Sequence, residues 1–355
     1  MNKRLYVDFH ILQTVPPSCV NRDDTGSPKT AVFGGVTRAR VSSQAWKHAV
    51  RKMFREEMLE QEDVGVRSKK VAAMVAEQIA AIAPNEDAAK LAQKALENAG
   101  VKTGDKGTDA LFFMSAAQAK ALAQLIVEGC TDKKKFKEAL KAAPSVDMAL
   151  FGRMVASDPS LNYDAASQVA HSISTHAVQN EYDYFTAVDD FAEEDNAGAG
   201  HLGTVEYNSS TLYRYAVVNA IELAGMLGRE KAAQAVRIFA EAFISSMPTG
   251  KQNTFANRTF PDAIYVTIRE DQPINMSGAF EKAIKKSEQG YVEPSKAALA
   301  DYAQRLYTTF VKAPVQSYAV GIDLEKLGAS EMQLDAMLNE LEAAVKEKLA
   351  GNEVG

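Results

Sequence analysis

The sequence predicts an α+β fold in which a helical segment interrupts a compact core. Segments with strand and helix patterns alternate along most of the 355 residues, which is typical of a mixed fold. Residues 60–143 are instead rich in Ala, Lys, Glu and Gln and predict helices only. Hydrophobic residues make up 46% and charged residues 24%, as in a globular protein with one large domain or one domain plus an insertion.

The N-terminal region predicts a strand, a polar loop and a basic helix. Residues 5–15 (LYVDFHILQTV) alternate in part and are rich in β-forming residues, which favours a half-buried strand. Residues 16–30 contain many Pro, Asn, Asp and Gly residues and predict a loop. A helix is predicted to follow Ser42 or Ser43 as the N-cap, because the apolar residues of segment 45–54 recur at helical spacing.

Four short helices are predicted within residues 60–143, and the pattern changes after them. Residues 145–155 (SVDMALFGRMV) have a strand-like pattern, and residues 163–178 predict a helix. Residues 182–206 are acidic and Gly-rich, too long for a turn and poor in core-forming residues. Either a projecting hairpin or a disordered excursion would fit that segment.

Strands and helices alternate again in the C-terminal part of the sequence. The predicted elements are a strand at 211–220, a helix near 229–246, a strand at 263–270, a short helix at 276–287, a helix at 295–311, a strand at 316–324 and a charged C-terminal helix. This alternation completes the predicted α+β core.

Charge is distributed unevenly around a formal net charge of −6. Seven cations and no acidic residue occur in one N-terminal segment; they are Lys29, Arg38, Arg40, Lys47, Arg51, Lys52 and Arg55. Residues 154–213 contain no Lys or Arg but ten acidic residues. The asymmetry is expected of a protein that presents one face to phosphates and another to a cationic surface, such as its own neighbour in an assembly. Two solvated faces of an acidic protein remain the alternative.

Several classes of protein are disfavoured by what the sequence contains. The two cysteines, Cys19 and Cys130, form no CxxC pair, which argues against a disulfide scaffold or a structural zinc cluster and favours a reducing cytoplasm. No uninterrupted apolar run of about 18 residues occurs, so neither export nor membrane spanning is expected. Phosphate-binding, dinucleotide-binding and GxSxG motifs are missing from the sequence, and we expect no cofactor.

Two weak candidates for a metal site occur. Asp23 and Asp24 lie in the polar loop and could hold a divalent cation that activates water, although an Asx-rich turn explains them as well. His171 and His176 are five residues apart and would not share a helix face, so a metal site there would also need His201. Core or capping histidines are the simpler interpretation, and we expect no bound metal.

The basic segment is the more specific signal. Arg and Lys contact phosphates, and serine hydroxyls and helix N-terminal amides add neutral donors. These groups would share the first turns of one helix; the residues are Ser42, Ser43, Gln44, Lys47 and Arg51. A second basic group consists of Lys133, Lys134, Lys135, Lys137 and Lys141, and a solubilising surface is its alternative explanation. Trp46 is predicted to be a core residue rather than a stacking platform for bases.

Six segments of the sequence, in order, resemble the repeated backbone subunit of the type I-E CRISPR Cascade complex, the CasC family. They are LYVDFHILQTVPPSCVNRDD, AVFGGVTRARVSSQAWKHAVRK, MALFGRM, ISTHAVQNEYDYFTAVDD, HLGTVEYNSSTLYRYA and AFEKAI. The resemblance extends along nearly the whole chain and is weakest at about 60–140 and after 310. Each motif is modest alone, but six in the same order are specific.

The resemblance implies a right-hand shape with an RRM-like (ferredoxin-like) palm, helical fingers and a projecting thumb hairpin. The implied boundaries are palm at 1–59, fingers at 60–143, palm at 144–181, thumb at 182–206, and the remaining palm with the C-terminal helix at 207–355. It also implies that many copies line up along one CRISPR guide RNA and present it to target DNA. The large, small and guide-processing Cascade subunits would be further partners.

The resemblance also assigns roles to individual residues. The residues that would contact the guide backbone are Arg22, Ser42, Gln44, Lys47 and Arg51, with Arg38, Arg40 and Lys52 in the same basic segment. Met154 and Phe185 would form an apolar pair beside the guide under the thumb. The residues that would face duplex DNA are Lys133, Lys134, Lys137 and Lys141. The acidic residues 189–195 would dock the thumb tip on the basic palm of the next subunit.

The favoured function is therefore that of a non-catalytic RNA-binding subunit. Phosphate contacts are independent of sequence, which suits a protein that must accept any guide, and base pairing reads the target. The rival is a metal-dependent RNase that cuts target RNA with Asp23 or Asp24. A third possibility, a free-standing RNA chaperone, predicts binding as a monomer without assembly.

Overall fold

The structure, a computed structural model, describes residues 4–84, 87–104, 107–187 and 201–351, with only the backbone described at 201 and 202. The strands are β1 (Tyr6–Ser18), β2 (Thr30–Phe33), β3 (Val36–Val41), β4 (Val66–Ser68), β5 (Thr103–Gly104), β6 (Gly107–Thr108), β7 (Phe112–Met114), β8 (Ser167–Val169), β9 (Ser172–Ser174), β10 (Glu181–Ala187), β11 (His201–Asn219), β12 (Ala263–Arg269), β13 (Gln316–Val320) and β14 (Ser330–Glu331). The α-helices are α1 (Ser43–Met53), α2 (Val71–Ile82), α3 (Ala88–Asn98), α4 (Ala116–Val127), α5 (Lys133–Lys141), α6 (Val146–Phe151), α7 (Ala220–Leu227), α8 (Arg229–Ser245), α9 (Gln252–Phe255), α10 (Val292–Thr309) and α11 (Leu334–Ala350). A π-helical turn (Phe54–Met58) continues α1, and 3₁₀ turns occur at Pro159–Leu161, Met276–Phe280 and Glu325–Leu327.

One large mixed sheet organises the molecule and confirms the α+β prediction. Its strand order is β14-β13-β12-β1-β11-β9-β3-β2, and β8 and β10 also pair with β11. The predicted first strand is confirmed as β1, which pairs antiparallel with β11 and β12. Both of its faces are buried, which explains why the sequence alternates only in part.

Helices cover both faces of the sheet. On one face Phe9 packs against Phe239 and Phe243 of α8, at ring distances of 5.5 and 6.4 Å, and α1, α7 and α11 join the same core. On the other face Leu12 joins a second core with Leu299 of α10 and the 3₁₀ turn at Met276–Phe280. The predicted short helix at 276–287 is correct only for that turn.

Along the chain, four helices, α2 to α5, follow α1 and precede α6, as the Ala-rich sequence predicts. They share a core of their own, which includes Val75, Leu96, Leu122 and Phe136. A short antiparallel pair, β4 and β7, lies at the edge of this core. We call residues 66–141 the helical block.

Two sequence-based assignments in the centre of the chain are wrong. The strand predicted at 145–155 is the helix α6, because residues 146–150 are apolar or hydrogen-bonded and buried on every side, and a continuous buried run does not reveal its period. Gly152, at φ +75°, ends that helix. The helix predicted at 163–178 is instead the strand pair β8 and β9, which obtain their hydrogen-bond partners from β11.

The acidic segment begins and ends as a hairpin. β10 pairs antiparallel with the first residues of β11, from Glu181 opposite Tyr207 to Ala187 opposite His201. The hairpin therefore continues into the centre of the sheet through the 19-residue strand β11. Residues 188–200, which include the whole acidic tip (189–195) predicted to dock on a neighbour, lie outside the described residues.

Two expectations from the sequence concern membrane-spanning helices and the pairing of the cysteines. No helix in the four described ranges is long and apolar enough to cross a membrane. The thiols of Cys19 and Cys130 are both free.

Candidate nucleic-acid interface

The first turn of α1 is fixed by its own cap and by contacts from two other segments. Ser42 is the N-cap, as predicted, and its Oγ accepts a hydrogen bond from the amide of Ala45 at 3.3 Å. The amide of Ser42 donates to Asn21 at 2.9 Å, and the amide of Ser43 donates to Nδ1 of His171 at 2.8 Å. The side chain of Ser42 is thus buried in the cap and does not present its hydroxyl to a ligand. Ser42, a predicted phosphate contact, therefore positions the helix in this structure.

The buried face of α1 is anchored by Trp46. The indole is fully buried, which confirms the core assignment, and its Nε1 donates to Ser172 at 2.9 Å. The guanidinium of Arg214 lies over the ring, 3.8 Å from its centroid, and donates to Gln13 at 2.5 Å. Burial lowers the pKa of the Arg214 guanidinium to about 9, and no carboxylate among the described residues forms an ion pair with it. The opposite face of α1 is consequently held toward solvent.

That outward face carries the predicted neutral and cationic contacts. Gln44 is exposed, and Lys47 is half-buried and has no ion-pair partner among the described residues. Partial burial lowers the pKa of the Lys47 ammonium. Lys52 is exposed and lies 3.7 Å from Glu56, one turn further along. An anion that approached this face would meet Lys47 as an uncompensated charge.

Arg51 is on the same face, but its guanidinium already forms an ion pair within the protein. Its guanidinium pairs with Asp147 of α6 at 3.0 Å, and 14% of the Arg51 side chain is exposed. The Asp147 carboxylate also accepts hydrogen bonds from the amide of Gly65 at 2.8 Å and the hydroxyl of Ser145 at 2.7 Å. Arg51 therefore ties α1 to the segments on either side of the helical block.

Arg38, a predicted guide contact, is buried, and its guanidinium is engaged by the protein itself. Its side chain is fully buried, and the guanidinium donates to the carbonyls of Phe33, Ser174, Phe280 and Glu281 at 2.8 to 3.2 Å. Four carbonyls satisfy its donors, so the charge serves to join the β2–β3 hairpin to the sheet and to the 3₁₀ turn.

The side chain of Arg40 is only partly accessible. It is half-buried, and its Nε donates to the carbonyl of Thr30 at 3.1 Å. Arg40 and Lys29 lower the pKa of His171 through their charge, after the larger effect of partial burial. A neutral His171 is what the hydrogen bond from the Ser43 amide requires, since Nδ1 must be the acceptor.

A cleft of about 580 Å³ lies beside α1. It is lined by residues of α1 and its π-helical turn, of the loop at 20–26 and of the segment at 246–258. Its three exposed cations are Arg22, Lys52 and Arg258. Its four carboxylates belong to Asp23, Asp24, Glu56 and Glu57. The cleft thus brings Arg22 and Lys52, two of the residues predicted to contact RNA, to the same helix, and its third wall was not anticipated.

That third wall, residues 246–258, was missed by sequence reasoning. Lys251 and Ala256 flank α9 and have left-handed backbone conformations, with φ of 50° and 49°. Non-glycine residues rarely adopt this region, and such strain is common at functional sites. The segment carries Lys251 and Arg258 and no acidic residue, a signal that could have drawn attention to it.

The wall is closely joined to the loop that carries Arg22. A Cβ atom on Gly250 would lie 2.0 Å from the carbonyl oxygen of Val20, so only glycine allows this approach. Asn257, which lines the cleft, is 2% exposed, and its side-chain nitrogen has no hydrogen-bond partner among the described residues. A buried donor without a partner favours an acceptor in the cleft, supplied by water or by a ligand.

The two aspartates of the loop form a turn. Oδ1 of Asp23 accepts hydrogen bonds from the amide and hydroxyl of Thr25, at 2.9 and 2.7 Å, and from the amide of Ser27 at 3.0 Å. The hydrogen bond from the Thr25 hydroxyl is the main cause of a lowered pKa at Asp23. This geometry is the Asx-rich turn that was the alternative to a metal site.

The histidines are also engaged by the protein itself. Nε2 of His176 accepts from the amide of Thr211 at 3.1 Å, and its Nδ1 lies 2.9 Å from the carbonyl of Ala177. Burial lowers the pKa of His176. The side chain of His201 lies outside the described residues. Among the residues that are described, no group of three or more His, Cys, Asp or Glu side chains could hold a metal ion.

The predicted apolar pair is exposed. Met154 is 84% exposed and Phe185 is 41% exposed, so neither is a core residue. Phe185 faces Gly203 across the hairpin, and a Cβ atom on Gly203 would lie 2.2 Å from its ring. The ring therefore packs on the glycine backbone, a cross-strand pairing that holds an aromatic side chain at a fixed place on the hairpin.

The lysines of α5 point mainly to solvent, because Phe136 and Leu140 supply the buried face. Lys133, Lys134 and Lys141 are exposed, whereas Lys137 pairs with Asp158 at 2.6 Å. Hydrogen bonding from Lys137 lowers the pKa of Asp158 to about 2. Three predicted DNA-facing residues thus present free or weakly paired charge, and Lys137 does not.

One known protein family matches nearly the whole chain. The model of the CT1975-like protein family matches residues 7–346. The chain belongs to this family. None of the curated proteins matches it.

Two solved structures resemble this CT1975-like chain over almost its whole length. One, described as a CRISPR RNA-guided surveillance complex, pre-nicking, is 33% identical with a TM-score of 0.78, covering 96% of this chain and 100% of the other. A second, described as a CRISPR RNA-guided surveillance complex, is 31% identical with a TM-score of 0.64, covering 96% and 99%. The CT1975-like chain is thus similar to chains of CRISPR RNA-guided surveillance complexes over 96% of its length.

Proposed function

We propose that this protein is a non-catalytic subunit that binds a CRISPR guide RNA in a type I-E Cascade surveillance complex in the cytoplasm. Several copies would assemble along one guide and present it for pairing with target DNA. The large, small and guide-processing subunits of the complex would be the other partners.

The outward face of α1 is the observation that carries this proposal. Lys47 and Gln44 stand on a helix whose cap, buried face and Arg51 ion pair all fix its orientation. Lysine binds phosphate as a point charge and glutamine can donate to sugar or base, so the face suits an RNA backbone. Contacts of this kind are independent of sequence, as a subunit that accepts any guide requires.

Similarity to surveillance-complex chains supports the larger arrangement. In this proposal the main sheet is an RRM-like palm, the helical block forms the fingers, and the β10–β11 hairpin is the thumb. The antiparallel core strands β12-β1-β11, with helices on both faces, support the palm assignment. The separate core of α2 to α5 supports the assignment of the fingers.

The set of residues proposed to contact RNA is narrower than the set predicted from the sequence. The residues that keep this role are Arg22, Arg40, Gln44, Lys47 and Lys52, together with Met154 and Phe185 beside the bases. Ser42 and Arg51 hold α1 in place instead. Arg258, on the far wall of the cleft, joins the proposed contacts because it is exposed there and its own segment contains no acidic residue.

The hydrogen bonds that Asp23 accepts support the non-catalytic part of the proposal. Three hydrogen bonds from the turn occupy one oxygen of its carboxylate, which favours a structural role. The assembled complex, incubated with complementary RNA and Mg²⁺, should leave that RNA intact. Cleavage at regular intervals that disappears in Asp23→Ala would favour the RNase instead.

The experiment that tests the proposal is purification of the protein from cells that carry a CRISPR array, followed by sequencing of the bound RNA. We expect RNA with repeat-derived ends, in complexes that contain several copies of the chain. Monomeric protein with RNA of random origin would contradict the proposal and favour an RNA chaperone.

A further inference from the structure

A second arginine lies beside Arg51, where α1 meets the helical block. Arg67 is in β4 and faces Phe113 of β7 directly across the strand pair. The guanidinium carbons of Arg67 and Arg51 lie over the Phe113 ring, 5.2 and 4.6 Å from its centroid. The ring itself is 3% exposed and packs so closely on Gly65 that a Cβ atom there would lie 2.4 Å away. Two guanidinium groups thus share one immobile aromatic platform.

The charges at this junction do not balance. Asp147 is the carboxylate that pairs with Arg51, and it is fully buried. Its two oxygens already accept hydrogen bonds from Arg51, Gly65 and Ser145. Arg67 is exposed and makes no hydrogen bond or ion pair through its guanidinium with any described residue. The junction therefore contains two cations and one anion, and the surplus charge belongs to the exposed Arg67.

The two arginines also repel each other. Partial burial, and then the charge of Arg51, lower the pKa of Arg67, whereas Asp147 acts in the opposite direction. An arginine held on an aromatic ring keeps its planar donors directed outward and loses little freedom on binding. An anion with two oxygens would offset the repulsion and accept both edges of the planar group.

We propose that Arg67 forms an anion site at the junction of α1 and the helical block and that this site takes a phosphodiester group of a nucleic-acid backbone. The inference rests on the proposed function, since it extends the α1 face toward the helical block. At this junction Arg67, and not Arg51, is the cation that an anion would reach. The phosphodiester would belong either to the guide RNA or to the paired target strand.

The test compares Arg67→Gln with Lys90→Gln, which removes an exposed charge elsewhere in the helical block. One arm measures binding of guide RNA by the full chain over a series of salt concentrations. The other measures capture of target DNA by assembled complexes. We expect Arg67→Gln to weaken one of them by about tenfold at low salt, and the salt slope to fall by about 0.7 to 0.9 for the single phosphate lost.

The arm that responds identifies the source of the phosphate, guide or target. Lys90→Gln should leave both arms unchanged. Arg67→Lys keeps the charge but not the planar group, so it should retain the wild-type salt slope with reduced affinity. Equal behaviour of the Gln and Lys variants at every salt concentration would overturn the proposal, because Arg67 would then be a packing residue.

Failure of this inference is distinguishable from failure of the proposed function. If the wild-type protein binds RNA, Lys47→Gln weakens that binding and Arg67→Gln changes neither arm, the anion site is wrong and the proposed function stands. If the wild-type protein binds no RNA, the proposed function is wrong and the anion site is overturned with it.

Discussion

The guanidinium of Arg51 and the carboxylate of Asp147 form an ion pair at 3.0 Å that joins α1 to α6 across 96 residues of sequence. Asp147 is fully buried, so removal of its partner would leave an uncompensated charge in the core. The pair explains why a residue on the basic face of α1 belongs to the framework of the site rather than to its surface.

Arg51→Glu is expected to destabilise the fold. Two carboxylates would meet at a buried position, and loss of such a pair typically lowers the free energy of unfolding by about 3–5 kcal/mol. Chemical denaturation measures the change. Lys52→Glu is the matched control, because Lys52 is the next residue and is exposed; its unfolding free energy should change little. Similar stability of both variants would contradict a structural role for Arg51.

Lys47→Glu should act on RNA binding and not on stability. The ammonium has no ion-pair partner among the described residues, so the substitution breaks no ion pair. Arg51, in contrast, is paired with the buried Asp147. We expect weaker binding of RNA of any sequence and a salt slope reduced by about 0.7 for one phosphate. Lys47→Arg should retain binding. Unchanged affinity and slope in Lys47→Glu would show that the face is ordinary surface.

Met154→Ala combined with Phe185→Ala should impair pairing with target but leave the melting temperature unchanged, because Met154 is 84% exposed and Phe185 lies on the hairpin outside the three buried cores. Base–aromatic stacking contributes about 1–3 kcal/mol per base, which sets the scale of the loss. Gly203→Ala should reproduce the Phe185 defect, since its Cβ would displace the ring. Thr204→Ala, at an exposed neighbouring position, is the control. A fall of several degrees in melting temperature in the double variant would mean that the two residues stabilise the fold.

The lysines of α5 should separate into two classes. Lys133→Ala with Lys141→Ala should yield intact guide complexes that capture duplex DNA less tightly, because both ammonium groups are exposed. Lys137→Ala should have a smaller effect on capture, since its charge is paired with Asp158. Electrophoretic mobility shift with duplex DNA measures both. Equal losses from Lys137→Ala and the double variant would contradict this division.

Asp8 should make stability depend on pH. Burial raises the pKa of this carboxyl to about 7, against the lowering effect of its hydrogen bond from Tyr215. Between about pH 4 and 7 the folded state keeps a proton that the unfolded chain releases, so stability falls as pH rises through that window. The slope can reach about 1.4 kcal/mol per pH unit. Asp8→Asn should flatten the slope in denaturant unfolding, and an unchanged slope would show that Asp8 is ionised throughout.

Local pattern determined most of the elements by itself. The first strand, the capped helix α1, the helices α2 to α5, and the elements β11, α8, β12, α10, β13 and α11 follow from periodicity and capping residues, because those signals act over a few residues. Helices α7 and α9 were not predicted. The basic, outward face of α1 was also predictable, since Trp46 and its apolar neighbours fix which side is buried. The family resemblance rests on the same continuous segments, and the CT1975-like match agrees with it.

Tertiary structure alone decided which charges are available. Arg38 donates to carbonyls of residues 174, 280 and 281, and Arg51 pairs with Asp147, so partners that are distant in sequence remove both from the surface. The cleft likewise combines three segments separated by up to about two hundred residues. Helix α6 and strands β8 and β9 were assigned wrongly for the same reason, because burial on all sides and pairing with β11 are supplied by the rest of the chain. A sequence specifies which side chains carry charge, and only the packed fold determines which of those charges a phosphate can reach.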